Sequence, residues 1–106
     1  MIARNVTMRL KANSVAEFTQ TLEKEVIPLL RKQKGFQDEL TFIAPGGQEA
    51  VGISLWDKQE NAEAYSRERY PEVLKALAKV LEGTPQVKNW EVCNSTSHKI
   101  AAALAA

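Results

Sequence analysis

Twice along this chain an alternating stretch runs straight into a helix start, and that repetition constrains the fold more than any other feature. Ala3–Lys11 places Val6, Met8 and Leu10 on one face and Asn5, Thr7 and Arg9 on the other, the period of two of a half-buried strand. Asn13 breaks the pattern, and Ser14-Val-Ala-Glu17 has the form of a capping box that opens a helix. Ala50–Trp56 alternates again, with Val51, Ile53 and Leu55 on one face and Gly52, Ser54 and Trp56 on the other. Asp57 then offers a helix cap, with Glu60 three residues on.

The remaining segments fill in around these two units. Val15, Phe18, Leu22, Val26 and Leu29 follow one another at three- and four-residue steps and form one apolar helix face. Pro28 sits inside that pattern and predicts a kink or loosened turns, and Gly35 after Lys32 and Lys34 predicts a left-handed ending. Phe36–Ala44 reads as a second strand, closed into a hairpin by Pro45-Gly46-Gly47. After the third strand, Ala62, Tyr65 and Arg69 share a helix face. Pro71 opens a further helix over Glu72–Glu82, with Val73, Leu74, Leu77, Val80 and Leu81 inward. Gly83-Thr84-Pro85 stops it, and Gln86–Ser97 is a last strand carrying Trp90 and Val92.

The order is βαββαβ, the split βαβ arrangement of a ferredoxin-like α+β fold with an antiparallel sheet and helices on one face. The expected core face is Val6, Met8, Leu10, Val51, Ile53 and Leu55, each contributing roughly 1.5–3 kcal/mol when fully buried. The other face then holds Asn5, Thr7, Arg9, Gly52, Ser54 and Trp56, with apolar side chains from the second and fourth strands whose parity the pattern leaves open. A bare face with a tryptophan would be an exposed apolar patch on a monomer. Pairing two such sheets removes it, so the expected assembly is a homodimeric α+β barrel. Residues 1–99 form one domain and 100–106 an alanine-rich tail.

Composition excludes several function classes. A chain of 106 residues with a formal net charge of +1 has no basic stripe with interleaved aromatics, so no nucleic-acid partner is expected. No apolar run reaches membrane-spanning length, and the first residues lack a secretory signal, so the expected location is the cytoplasm. Cys93, the single cysteine, excludes an intrachain disulfide, and its default place is that of a small buried residue. No metal constellation, phosphate-cradling loop, or flavin or nicotinamide fingerprint is present, so neither a metal nor a cofactor is expected.

Trp56 is the candidate wall of a pocket for a small hydrophobic molecule, or else an interface or core aromatic. Asn5 can orient a substrate oxygen through its amide, or satisfy backbone groups at a strand start. Arg9, on the same face, can pair with an anionic substrate or form an interface salt bridge. Ser54 and Tyr65 complete the candidate substrate contacts, Tyr65 reading first as a residue packed over the sheet. His98, the only histidine, is an acid–base candidate at the end of the last strand.

Gly35-Phe36 leading into the second strand, and Ser54-Leu55-Trp56-Asp57-Lys58 leading into Ala62-Glu63-Ala64-Tyr65, carry a resemblance. Through most of Val6–Val92 the chain resembles the antibiotic biosynthesis monooxygenase family of small dimeric α+β barrels. That family includes cofactor-independent oxygenases of polyketide aromatics, quinol-type oxygenases, heme-degrading enzymes and many proteins without known activity. In the heme-degrading branch an asparagine on the first strand, a tryptophan ending the third, and a helix histidine act together. Asn5 and Trp56 look like the first two, but Ser66 stands where the histidine would be, so histidine-ligated heme chemistry is not expected. The resemblance implies a cofactor-independent monooxygenase of a phenolic or quinol-like compound, with Asn5 and Trp56 catalytic and Arg9, Ser54 and Tyr65 binding substrate. A deprotonated compound of this kind gives electrons to dioxygen directly, so the protein needs a dry pocket and a group that stabilises the anion. The alternative is a non-catalytic dimer, ligand-binding or stress-related.

Overall fold

The computed structural model describes residues 1–98, so the alanine-rich tail lies outside the described residues. Four antiparallel strands, β1 (Ile2–Leu10), β2 (Phe36–Ile43), β3 (Glu49–Trp56) and β4 (Leu81–Glu91), form one sheet in the order β2-β3-β1-β4. Helical segments α1 (Val15–Thr21) and α2 (Ile27–Arg31) join β1 to β2, and α3 (Gln59–Glu68) and α4 (Tyr70–Leu77) join β3 to β4. This is the ferredoxin-like α+β fold, with every helix on the same side of the sheet as the buried core.

Between α1 and α2 the chain widens into a π-helical turn, Leu22–Val26. Pro28 has no N–H to return to the carbonyl four residues earlier, and the loosened turns expected from it stand immediately upstream. Phe18, Leu22, Val26 and Leu30 nevertheless stay on one buried face. Ser14 precedes α1 but its hydroxyl faces the Ala12 carbonyl at 3.4 Å, so the capping box does not form. Asp57 is likewise no cap: α3 starts from Lys58, and the Asp57 carboxylate accepts from Asn61 Nδ2 at 2.8 Å.

The third strand turns the opposite face to the core from the one the alternation favoured. Val6 pairs with Gly52, Met8 with Ala50 and Arg4 with Ser54, and opposed residues of an antiparallel pair share a face. Ala50, Ser54 and Trp56 are therefore buried under the helices, while Val51, Ile53 and Leu55 lie with Asn5 and Thr7 on the open face. Small residues in the middle of β3 leave room beneath the helices, and Trp56, fully buried, fills the end of the layer. The same registers put Leu40, Phe42 and Trp90 on the open face. The sheet is thus apolar on both sides, which is why side-chain alternation alone pointed the wrong way. Cys93 is exposed rather than buried. β4 begins at Leu81, earlier than Gly83-Thr84-Pro85 led us to expect, because Leu81 pairs with Leu10 before a register shift.

Candidate active site

One row across the core face of the sheet carries three polar residues side by side: Glu39 of β2 opposite Ser54 of β3, and Ser54 opposite Arg4 of β1. The adjacent row is Thr41, Gly52 and Val6. Gly52 has no side chain, and above it the helices leave a cavity of about 50 Å³. Val6, Met8, Leu22, Val26, Leu30, Val73 and Leu77 supply its apolar wall, while Arg4, Glu39, Thr41, Ser54, Tyr65 and Tyr70 supply its polar groups.

Arg4 is 2% exposed, an unusual place for a guanidinium. Its Nη2 donates to Ser66 Oγ at 3.2 Å, and the guanidinium carbon lies 4.0 Å from the Tyr70 ring centroid and 5.3 Å from that of Tyr65. Arg4 Nε and Tyr70 Oη are buried and make no hydrogen bond. Arg4 joins no salt bridge among the described residues. Burial lowers its pKa from the ordinary value, partly offset by the two phenols, and it stays a cation at neutral pH. Burial pushes the Tyr65 phenol up to about 12 despite Arg4, and raises Tyr70 for the same reason. Both tyrosines are therefore neutral hydroxyls. Glu39 Oε2 accepts from Thr41 Oγ1 at 2.6 Å, and burial raises this carboxyl above its ordinary value against that hydrogen bond.

Ser54 and Tyr65, two of the residues singled out from sequence, line the cavity. Trp56 stands behind them: its indole stacks on Tyr65 at 5.0 Å, meets Phe36 edge-on at 5.7 Å, and donates from Nε1 to Ser54 Oγ at 2.8 Å. Asn5 and Arg9 are on the other face of the sheet, Asn5 Nδ2 lying 3.4 Å from Thr7 Oγ1 and Arg9 between Glu49 and Glu82 in register. His98 meets Asp38 of β2 at 3.2 Å, outside the cavity. Sequence reasoning passed over Arg4, Glu39 and Tyr70. Arg4 had a visible signal, since it shares the inward parity of Val6 and Met8. Glu39 had none, because its inward parity depends on the bulge between Phe36 and Asp38. Ser66, which the resemblance set against a histidine, accepts a hydrogen bond from Arg4. Among the described residues no cluster of histidine, cysteine or acidic side chains could hold a metal, and no helix is long and apolar enough to cross a membrane.

Comparison with solved structures places this architecture. Its structural neighbours include antibiotic biosynthesis monooxygenase-type proteins. A Bordetella bronchiseptica protein assigned as an antibiotic biosynthesis monooxygenase superposes with a TM-score of 0.74 at 15% identity, over 86% of this chain and 95% of that one. The Streptomyces coelicolor monooxygenase from the gene ActVA-Orf6, in complex with nanaomycin D, gives 0.73 at 17% identity, over 86% of each chain. SnoaB, a cofactor-independent oxygenase from Streptomyces nogalater, gives 0.72 at 13% identity, over 90% of this chain and 95% of that one. At these identities the likeness is one of fold. No protein-family model matches the sequence, and no curated protein matches it either.

Proposed function

We propose that this protein is a homodimeric, cofactor-independent monooxygenase of a small phenolic or quinol-like compound. The observation that carries the reading is the cavity between sheet and helices, with a largely apolar wall and the polar residues Arg4, Ser54 and Glu39 along one row of the sheet. A relative of the same fold binds nanaomycin D, and another is a cofactor-independent oxygenase. A phenol that has lost its proton passes an electron to dioxygen, and recombination at the ring carbon gives a peroxide. Loss of water then leaves a carbonyl. One oxygen atom enters the ring as the new carbonyl and the other leaves as water, so a phenol becomes a quinone with dioxygen as the only oxidant. The protein's share is to exclude water and to hold the ring and its charge.

Ser54 and Tyr65 contact the ring in this reading. Trp56, stacked on one and bonded to the other, is a positioning residue. Asn5 and Arg9 lie on the sheet face that a second copy would cover, beside Val51, Ile53 and Leu55. At about 50 Å³ the cavity must widen before it takes even a single ring, since a cavity that holds benzene is about 150 Å³. A non-catalytic ligand-binding dimer is the second reading, favoured by the sparse acid–base set: no histidine lines the cavity.

Oxygen consumption with a panel of single-ring phenols and hydroquinones, in protein freed of added cofactors, tests the reading. We expect one dioxygen consumed per quinone formed, with substrate-dependent quenching of tryptophan fluorescence. Quenching without oxygen uptake would support the binding protein instead. Neither signal with any compound would refute both.

A further inference from the structure

Gly52 is the one glycine of the chain with no backbone reason to be glycine. The other four have positive φ, whereas Gly52 lies mid-strand in β3 in a conformation any residue adopts. A glycine inside a strand weakens it relative to alanine, and marks a bulge, a tight bend, or the close approach of another backbone or a ligand. Pairing with β1 runs unbroken from Ile2 to Arg9, and pairing with β2 unbroken from Asp38 to Ile43, so no bulge stands at Gly52. No other backbone comes near it. Beyond its chain neighbours, a Cβ added there would meet one atom within 4 Å, Met8 Cε at 3.5 Å, which is ordinary contact. Alanine would therefore fit and would strengthen the strand. An approaching ligand is what remains, and Gly52 lies on the wall of the cavity.

We infer that Gly52 sets what the cavity accepts: a flat aromatic ring lies against the bare β3 backbone there, in room that the Met8 side chain yields. This rests on the reading of the cavity as a ligand site, and names where in it the ring sits and which residues limit its size. Gly52 stands between Val6 and Thr41, one row along the sheet from Ser54. Ring carbons rest about 3.5–4.0 Å from the carbon atoms beneath them, and a Cβ on residue 52 would take up that space. At about 50 Å³ the cavity must widen, and Met8 is the part of its wall best able to give. Its side chain ends over Gly52, is unbranched and turns about three bonds. Val6, Val26 and Val73 in the same wall are β-branched and stiff. Moved aside, the thioether meets the ring edge, a favourable sulfur–aromatic contact at about 5 Å. A saturated ring of the same carbon count is thicker, because its hydrogens stand above and below the carbons, and it fits the gap poorly.

The test uses phenol and cyclohexanol, its saturated counterpart, with protein labelled by [methyl-13C]methionine. The chain has two methionines, Met1 and Met8, so one NMR signal reports on the cavity. Saturating phenol should move the Met8 methyl signal by its ring current and leave that of Met1 in place. Calorimetry should show phenol bound at least about tenfold more tightly than cyclohexanol, the discrimination that a misfit of one methylene brings. Gly52→Ala should weaken phenol binding by about 10- to 200-fold, the effect of one added carbon in a close-fitting apolar pocket. The same variant should raise the thermal midpoint by about 2–8 °C, because a glycine has left the interior of a strand. A lower midpoint, or a variant that does not fold, would make Gly52 a structural glycine and overturn the inference. Undiminished phenol binding by Gly52→Ala, equal affinity for the two probes, or phenol binding with the Met8 signal unmoved would also overturn it, while leaving the ligand site standing. If the wild type binds neither probe, the ligand site falls together with the inference.

Discussion

Glu39 shows how one side chain couples the site to stability. Its carboxyl is half-buried, and its pKa in the folded protein is raised above the ordinary value, chiefly by burial. The folded state therefore holds the proton more tightly than the unfolded chain does. The stability this group contributes is complete below the unfolded pKa and is lost as pH rises through the higher folded pKa. At neutral pH the charged carboxylate is a small net cost, softened by solvent because the group is partly exposed. Glu39→Gln keeps an acceptor for Thr41 Oγ1 and removes the charge. Chemical denaturation at neutral pH should show it more stable by up to about 0.5 kcal/mol, with the gain vanishing at acid pH. Equal stability at both pH values would mean that burial of this carboxylate costs nothing. Trp56 makes the complementary point. Its bulk and place at a strand end were legible, but its parity was not, so a residue expected to wall the pocket instead backs Ser54 and Tyr65.

At the scale of elements, the junction between α2 and β2 is held by the chain's most constrained glycine. Gly35 has φ of +84°, a conformation an L side chain adopts only with strain. A Cβ there would collide with the Asp57 carboxylate and with Asn61, the pair that fixes the start of α3. Its carbonyl also accepts from the Asp57 N–H at 2.9 Å, tying the end of one βα unit to the beginning of the other. Gly35→Ala should lower stability by about 1–3 kcal/mol, seen as a lower thermal midpoint. An unchanged midpoint would show that the junction relaxes freely. The need for glycine here was readable from Lys32, Lys34 and the hydrophobic run that stops before them. The collision partners were not, because Asp57 and Asn61 are brought there only by the fold. The helix-start signals at Ser14 and Asp57 placed both helices within a residue, yet neither side chain caps: Ser14 turns back to Ala12 and Asp57 is held by Asn61.

For the whole molecule the open sheet face is decisive. Leu40 is 43% exposed, Phe42 53% and Trp90 52%, and the half-buried Val51, Ile53 and Leu55 lie among them. Surfaces of this kind on small soluble domains mark protein interfaces. Light scattering at micromolar concentration should give twice the chain mass. Phe42→Asp, a charge in the middle of the face, should shift the population to monomer without unfolding it. A wild-type monomer with Trp90 freely quenched by iodide would refute the dimer. The sequence by itself determined the order of elements, the one-sided helical layer and the presence of a sheet face with nothing of its own chain to cover it. Those follow from local periodicity, from proline and glycine punctuation and from the number of helices. Only the tertiary structure decided which face that was, and so which residues meet in the cavity. β3 is apolar on one side and small with a terminal tryptophan on the other, and either side could be buried. The choice belongs to the pairing of Val6 with Gly52, a register fixed by how β1, β3 and the helices pack together, and that register is what brings Arg4, Ser54 and Glu39 into one row.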